Sequence, residues 1–456
     1  MKDSKFQHAL KIREDLCEGC SHCMNVCPTE AIRVRNGKAV LIGNRCVDCG
    51  KCYRECPSNA IFIDHDDFSH IFDYQKRVAL VPAVFSGQFP KEITQKQIFS
   101  VILDLGFTHV YEVENGVEIL IDEITKYAKK HLTIKPLISS FCPAIIRLIQ
   151  VKFPSLVDNI MLLKPPLDIS AKFVRKQLMD DGANESEIGI FYVTPCAAKI
   201  AAIKEPVGEL TSDITGVINM DFLYNKVYQQ VKLRTKEVCS YPATDPLEIK
   251  LRNWSLTNGE ASNLEGRCLA IDEIHNVIDF LEKIENNEIK DIDYLELRAC
   301  DESCAGGVLT HCNRFLTVEK MKKDDNLPVI GNGCSFGDFK PIMVEKEYLS
   351  QTINIDAISP RSILVLDQDM GEAMKKMDKV NKMLKILPMT DCSVCGAPTC
   401  QALALDIING EADLEDCVFI QKTLEQNGEL NNVESNTIFR KIWGFEKTNK
   451  YRSIRP

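Results

Sequence analysis

The sequence predicts an α/β domain on a mainly parallel sheet, preceded by a small α+β domain and followed by a small helical one. Three observations carry this. A short-spaced cysteine run near the amino end occurs twice in close succession. From about residue 75, apolar strand signals alternate with amphipathic helical ones. A further group of short-spaced cysteines lies near the carboxyl end, around a helical stretch. The 456 residues are 45% hydrophobic and 26% charged, enough for two or three domains with a sizeable core and too apolar for a disordered chain.

With 55 Lys and Arg against 65 Asp and Glu the formal net charge is −10, and the basic residues do not cluster with aromatic ones. No nucleic acid is therefore expected as a partner, and an anionic membrane surface is disfavoured. The amino terminus, MKDSKFQHALKIRED, is charged throughout, and no apolar run approaches the roughly 18 residues that would span a bilayer. The expectation is a soluble, cytoplasmic protein without a membrane span. The 20 cysteines fall short of the density of a disulfide scaffold and come in clusters. In a reducing compartment such clusters are metal ligands or catalytic thiols, and thiolates hold soft iron well, so iron–sulfur chemistry is the first hypothesis.

Residues 17 to 28 read CEGCSHCMNVCP and residues 46 to 57 read CVDCGKCYRECP. Cys17, Cys20, Cys23 and Cys27 recur at an offset of 29 as Cys46, Cys49, Cys52 and Cys56, an internal duplication. Three closely spaced thiolates can wrap one face of a cubane while the fourth, at the start of a helix, reaches across to the other cubane. This predicts one 4Fe–4S cluster on Cys17, Cys20, Cys23 and Cys56 and a second on Cys46, Cys49, Cys52 and Cys27. Pro28 and Pro57 are expected to open helical turns. A zinc knuckle would need only four thiolates and no third cysteine at this spacing. AIRVRNGKAVLI and AIFI are apolar and β-branched, as short strands beside the cluster loops would be. Residues 7–66 thus resemble the bacterial two-cluster ferredoxin fold.

In the middle of the chain, VALVPAVF (78–85) reads as a short buried strand, TQKQIFSVILDLGF (94–107) as an amphipathic helix, and THVYEVE (108–114) and IGIFYVTP (188–195) as strands. Ligands in such folds sit beyond the carboxyl ends of strands. Three loops in suitable places carry cysteine: SSFCPAI with Cys142, YVTPCAAK with Cys196, and LRACDESCAGG with Cys300 and Cys304. Cys300 and Cys304 share a face if their turn is helical, and Gly306 and Gly307 would let backbone approach a cofactor closely.

With VPAVF these loops resemble the catalytic domain of the iron-only (di-iron) hydrogenases, over residues 76–345. The resemblance implies an oxidoreductase of anaerobic chemistry whose active-site cluster is a 4Fe–4S cubane on Cys142, Cys196, Cys300 and Cys304, with Cys304 bridging to a di-iron unit that bears carbon monoxide, cyanide and a dithiolate. It implies that Lys199 donates a hydrogen bond to one cyanide, and that the backbone at Pro82 and Ala83 contacts the other. Four neighbouring positions depart from the family pattern. Phe141 replaces a proton-passing thiol, Ala202 a carboxylate, and Thr194 and Arg298 methionines. Ligands kept while their surroundings change resemble the divergent, sensory branch of the family, where turnover is expected to be low. Cys239, Cys268, Cys312 and Cys334 are single cysteines without neighbours and are expected to be buried thiols.

Residues 346–385 are expected to form a linker, with a strand and then a helix carrying a Met and Leu stripe over 360–387. Cys392, Cys395, Cys400 and Cys417 follow at C-x2-C-x4-C-x16-C around QALALDIINGEADLED, a helix stopping near Gly410. The spacing resembles the small 4Fe–4S domain of corrinoid iron–sulfur proteins and of an electron-transport subunit of membrane ion pumps, here over 386–435; zinc is the alternative metal. Residues 436–456 are polar and basic, as a flexible tail would be. These readings lead to an iron–sulfur redox protein of the iron-only hydrogenase type. It would convert 2H+ and 2e− to and from H2 slowly, or sense H2 or redox state, with electrons passing through 4Fe–4S clusters to a redox partner such as a ferredoxin or a signalling protein. The competing reading is a multi-cluster electron carrier or iron–sulfur scaffold without the di-iron unit.

Overall fold

The computed structural model describes residues 7–233, 247–323, 339–361 and 369–449. The chain divides into two compact units, residues 1–64 with 361–456, and residues 65–360.

In the first unit, β1 (Leu10–Ile12) pairs antiparallel with β4 (Ile61–Ile63), so the ends of the duplicated segment meet. β2 (Ile32–Arg35) and β3 (Lys38–Leu41) form a hairpin turned by Asn36 and Gly37, both at positive φ as an Asn-Gly turn requires. Each cysteine run contains one helical turn, His22–Asn25 and Lys51–Arg54, which ends before the fourth cysteine of the run. Pro28 and Pro57 therefore open non-helical turns and not the helical ones expected. The residue before a proline is disfavoured in the helical region, so the helix must stop short of Cys27 and Cys56.

The carboxyl-terminal segment of this unit contributes helices Met370–Leu384, Cys400–Ile408, Val418–Asn427, Asn432–Trp443 and Phe445–Asn449. It seats on the hairpin. The Val34 N–H donates to the Gly396 carbonyl at 2.9 Å, and the Gly37 N–H to that of Ile442 at 2.8 Å. A Cβ at Gly396, where φ is +74°, would lie 2.3 Å from the Val34 carbonyl oxygen, so only glycine permits this approach. Asp406 sits between two arginines of β2. Arg33 grips it with Nε and Nη2 at 2.6 and 3.0 Å, and Arg35 Nη2 reaches it at 2.9 Å. Residues 436–449 are helical and not a flexible tail. Ser435, Ile438 and Ile442 turn inward at helical spacing, and the Trp443 indole N–H donates to the Val394 carbonyl at 2.8 Å. That narrow inward edge is hidden in a composition that is otherwise polar.

The second unit holds two parallel sheets. One has the order β6 (His109–Glu112), β5 (Lys76–Val81), β8 (Ile188–Thr194), β9 (Gly216–Asn219); the other has β10 (Cys268–Ile271), β11 (Tyr294–Leu297), β7 (Leu137–Ile138). All seven residues of β8 are buried, as in a strand covered on both faces. Helix Gln95–Asp104, closed by a Thr94 capping box, follows β5 as expected. The stretch 78–85 is not one strand: Pro82 ends β5, and Ala83–Ser86 forms a helical turn. β6 likewise stops at Glu112 and passes into a 3-10 turn, Val113–Gly116. The stretch expected as a linker contains the unit boundary: helix Lys346–Thr352 belongs to the second unit and Met370–Leu384 to the first. The strand expected before Met370 falls largely on residues 362–368, outside the described residues, as do Cys239 and Cys334. No helix among the described residues is long and apolar enough to cross a membrane.

The Arg33 and Asp406 side chains are both only 3% exposed, so removing one partner leaves the other charged and dry. Asp406→Asn is expected to destabilise the first unit by about 3–5 kcal/mol. Urea unfolding of the iron-loaded protein, followed by circular dichroism, measures this as a lower midpoint.

Candidate metal centres

In the first unit the cysteines line three separate cavities. Cys17, Cys20, Cys23 and Cys56 surround one of about 320 Å³. Cys27, Cys46, Cys49 and Cys52 surround one of about 300 Å³. Cys392, Cys395, Cys400 and Cys417 surround one of about 270 Å³. In the duplicated pair, the fourth cysteine of each run lies with the three of the other run. Backbone N–H groups point at several sulfurs: Ala39 at Cys17 at 3.3 Å, Ala31 at Cys27 at 3.2 Å, and Asp48 at Cys46 at 3.4 Å. Such N–H···S bonds orient a thiolate and tune the potential of what it holds.

Five of these thiols are pushed towards their neutral form, while hydrogen bonds to Ile61, Ser58 and Ala60 lower the pKa of Cys56. Burial, then the charges of Cys20, Cys17 and Cys56, push Cys23 up to about 12. Burial, then Cys27, does the same at Cys49, and burial with Cys417, Cys392 and Cys400 carries Cys395 to about 11. Cys46 and Cys52 are also raised well above the ordinary thiol value, chiefly by burial. Four sulfurs around one dry cavity fit a cationic metal cluster, which supplies the charge that makes the thiolates favourable. A feature that spacing did not reveal is His8, whose Nδ1 lies 2.8 Å from Asp48 Oδ2, while Asp48 Oδ1 accepts from the Ala9 and Leu10 N–H groups. This ties β1 to the loop that carries Cys46.

In the second unit the three cysteine loops follow β7, β8 and β11 at their carboxyl ends, and Pro82 and Ala83 follow β5. Cys142 and Cys196 precede helices Pro143–Lys152 and Ala197–Lys204, and Cys304 lies in a 3-10 turn, Ser303–Gly306. Cys300 opens that same loop, and its carbonyl accepts the Ser303 N–H at 3.0 Å. The turn is 3-10 and not the α-helical face expected. A Cβ at Gly307 would lie 2.4 Å from the Pro195 carbonyl oxygen, so the close approach made here is to the loop of Cys196. Cys304 is near enough to raise the pKa of both Cys142 and Cys196, and Cys142 raises that of Cys196 as well. Cys196 is pushed up to about 12, first by burial and against the pull of Lys199.

Cys304 also faces a pocket of about 1000 Å³ with mostly apolar walls. Lys199 Nζ lies there, 3.8 Å from Cys304 Sγ and 3.2 Å from the Tyr192 hydroxyl. Burial works against this ammonium, yet Cys304, Tyr192 and Cys196 outweigh it and hold its pKa above the ordinary lysine value. A thiol on the wall, a fixed cation beside it and dry surroundings fit a small anionic metal unit bonded at Cys304.

The departures from the family pattern have definite places. Phe141 and Ala202 line the pocket. The Phe141 ring is held between Arg298, 3.8 Å from its centroid, and Lys199 at 4.6 Å. Arg298 is paired with Glu260 at 3.0 Å and Glu296 at 3.4 Å, and Glu296 accepts backbone N–H groups from Asn258, Glu260 and Ala261. Thr194 Oγ1 donates to the Cys196 carbonyl at 2.9 Å. In the Pro82–Ala83 backbone that the resemblance expects beside a cyanide, the Ala83 N–H donates to Glu114 Oε2 at 2.8 Å. Glu114 and Asp168, both on the pocket wall, escaped the sequence reading. Their signal was an acid within an apolar segment, in YEVENG and KPPLDI. Cys312 donates to the Gln88 carbonyl at 2.8 Å, and Cys268 begins β10; neither lines a cysteine cavity described above.

Residues 75–223 match the family model of the iron only hydrogenase large subunit, C-terminal domain. Residues 16–61 match the 4Fe-4S dicluster domain, and residues 387–419 an Fe-S cluster family. The first match ends before the loop of Cys300 and Cys304. Among solved structures, the chain is similar to the FeFe-hydrogenase HydA(deltaEFG), whose structure reveals stepwise H-cluster assembly, at 14% identity and a TM-score of 0.49, over 63% of this chain and 94% of that one. It is similar to a variant of FeFe-hydrogenase HydA1 from Chlamydomonas reinhardtii at 15% identity and a TM-score of 0.48, with the same coverage. No curated protein sequence matches the chain. These matches give the chain a segment like the iron only hydrogenase large subunit's carboxyl-terminal domain, with a 4Fe-4S dicluster segment before it and an Fe-S cluster segment after it.

The raised thiols set a pH dependence. Cys23 and Cys49 move from the ordinary 9.0 to about 12, so the metal-free fold has its full stability below pH 9 and loses it as the pH climbs from 9 towards 12. Iron-bound thiolates carry no such penalty. Thermal melting against pH should show a falling midpoint above pH 9 for metal-free protein only.

Proposed function

We propose that this chain carries four 4Fe–4S clusters and a di-iron unit bonded at Cys304, and works as a low-turnover H2 and redox sensor that exchanges electrons with a partner protein. The ligands would be the four cysteine sets described: Cys17, Cys20, Cys23 and Cys56; Cys27, Cys46, Cys49 and Cys52; Cys142, Cys196, Cys300 and Cys304; and Cys392, Cys395, Cys400 and Cys417. The observation that carries this reading is the Lys199 ammonium, 3.8 Å from Cys304 Sγ on the wall of the pocket. A buried ammonium needs an anionic partner, and a metal unit with anionic ligands supplies one.

When bound, such a unit would supply the redox chemistry that interconverts H2 with two protons and two electrons. The chain does the rest. Lys199 is held by the Tyr192 hydroxyl and the Phe141 ring, which fix its ammonium over Cys304. Apolar side chains, among them Val84, Val113, Ile146 and Leu163, make up much of the wall around it. Phe141 cannot hand on a proton, and Ala202 offers no carboxylate, which supports slow turnover and a sensing role. The three cysteine cavities of the first unit would pass electrons on. One observation favours a second reading, an electron carrier without the di-iron unit: Glu114 already takes the N–H of Ala83, in the backbone that would face a cyanide.

Infrared spectra of anaerobically matured protein separate the two. The leading reading predicts cyanide and carbonyl stretches in the wild type and their loss in Cys304→Ala, with the first-unit clusters intact. A wild type without these bands, or a variant that keeps them, contradicts it.

A further inference from the structure

Of the cysteines assigned to clusters above, Cys392 alone stands exposed; every other is buried or half-buried. It lines the carboxyl-terminal cavity with Cys395, Cys400 and Cys417. Pro388 and Val418 line the same cavity, and Met389 and Phe419, the residues next to them, are exposed, as is Ile386. Apolar side chains grouped on a surface mark a place of contact, where scattered ones do not. The chain that leads to this rim is basic. Helix Met370–Leu384 and Lys385, which caps it, present Lys375, Lys379, Lys382 and Lys385 to solvent against Glu372 and Asp378, in a chain whose net charge is −10. Lys375 pairs with Glu372 at 2.7 Å; among the described residues no carboxylate pairs with the other three. The apolar face of the helix is already occupied: Val380 is buried, and Met377, Met383 and Leu384 pack on the core that contains Cys395 and Cys400. A helix that lies on a membrane would keep that face for lipid, so these lysines suit a protein partner.

We propose that an acidic one-electron carrier protein docks over Cys392, with its carboxylates on Lys379, Lys382 and Lys385 and its apolar centre on Ile386, Met389 and Phe419. This rests on the cluster assignment of the function proposed above and gives its redox partner a place and a charge. One electron crosses between the carrier and the cluster on Cys392, the donor oxidised and the acceptor reduced by one; no bond forms or breaks, and no proton moves. Interfaces for electron transfer are small and short-lived, so a few apolar anchors inside a charged border suffice. Opposite charge steers the two proteins together, which sets the rate of encounter and makes it fall with salt. The exposure of Cys392 serves the same contact, because a ligand under a layer of side chains would hold the two redox centres apart.

The test uses the full-length, cluster-loaded protein before di-iron insertion, with an acidic 2Fe–2S ferredoxin as the probe. Calorimetry measures binding of the oxidised probe, and stopped-flow absorbance measures electron transfer from the reduced probe to the oxidised protein. Both the affinity and the second-order rate should fall by about tenfold or more in Lys379→Glu/Lys382→Glu/Lys385→Glu, whose iron content and cluster spectra should match the wild type. Met389→Ser combined with Phe419→Ser should weaken binding without changing its salt dependence. Arg54→Glu reverses an exposed charge beside the ferredoxin-type cysteines and should leave both quantities unchanged. The proposal is overturned by a triple variant with intact clusters and an unchanged rate, or by a loss confined to Arg54→Glu. It is equally overturned by a wild type that does not bind the probe, or binds it and takes no electron, and by zinc in place of iron on Cys392. Lysine-dependent binding to phosphatidylserine vesicles, with no effect of the triple variant on the probe, would assign the surface to a membrane instead. No H2 chemistry enters the test, so matured wild type without cyanide bands overturns the di-iron unit and leaves the docking result to stand by itself.

Discussion

Burying four thiols around one small dry space is the constraint on which this molecule is built. Neutral thiols tolerate such a place and thiolates do not, unless a metal supplies positive charge. The raised pKa values at Cys23, Cys49 and Cys395 express that fact in the three cysteine cavities of the first unit, and Cys196 is raised in the same way beside Cys142 and Cys304. Much of the first unit serves to hold such cavities in shape. β1 meets β4 so that each cysteine run can lend its fourth member to the other, and the hairpin of β2 and β3 gives the carboxyl-terminal cysteine segment a surface to sit on. The Asp406 carboxylate, gripped by Arg33 and reached by Arg35, locks that seat.

The second unit applies the same constraint to a different end. Its cysteine loops all leave the carboxyl ends of parallel strands, where a twisted sheet opens a crevice. Around that crevice the chain has exchanged proton-carrying groups for packing and fixed charge. Phe141 fills the place of a thiol and is held between two cations, each with its own anionic or polar partners. A ring so placed stiffens Lys199 and Arg298 but moves no proton. Such a rigid, charged wall beside Cys304 would suit the proposed sensing role, in which a redox state is registered more than substrate is cycled.

What could be read from the sequence was local. The cysteine spacings, the Asn-Gly hairpin and the fully apolar β8 are each written within a few consecutive residues, and the corresponding cavities and strands stand in the structure. What escaped was long-range or masked by composition. Arg33 and Asp406 lie 373 residues apart, and nothing near either foretells the other. The helix Asn432–Trp443 keeps only a narrow inward edge in a polar segment, so its periodicity is faint. Glu114 looked like part of a strand end; its meaning comes from the Ala83 N–H 31 positions away. Pro28 and Pro57 were misread because proline favours a first helical turn, whereas here it ends one.

The central claim is that every one of the four cysteine sets holds a cubane. Mössbauer spectroscopy of anaerobically reconstituted protein enriched in 57Fe, combined with zinc analysis, tests it most directly. The account predicts about 16 irons per chain, all in 4Fe–4S form, before any di-iron unit is added, and no zinc. Saturation near 12 irons with about one zinc per chain would contradict it and would return the carboxyl-terminal cysteines to a structural metal site.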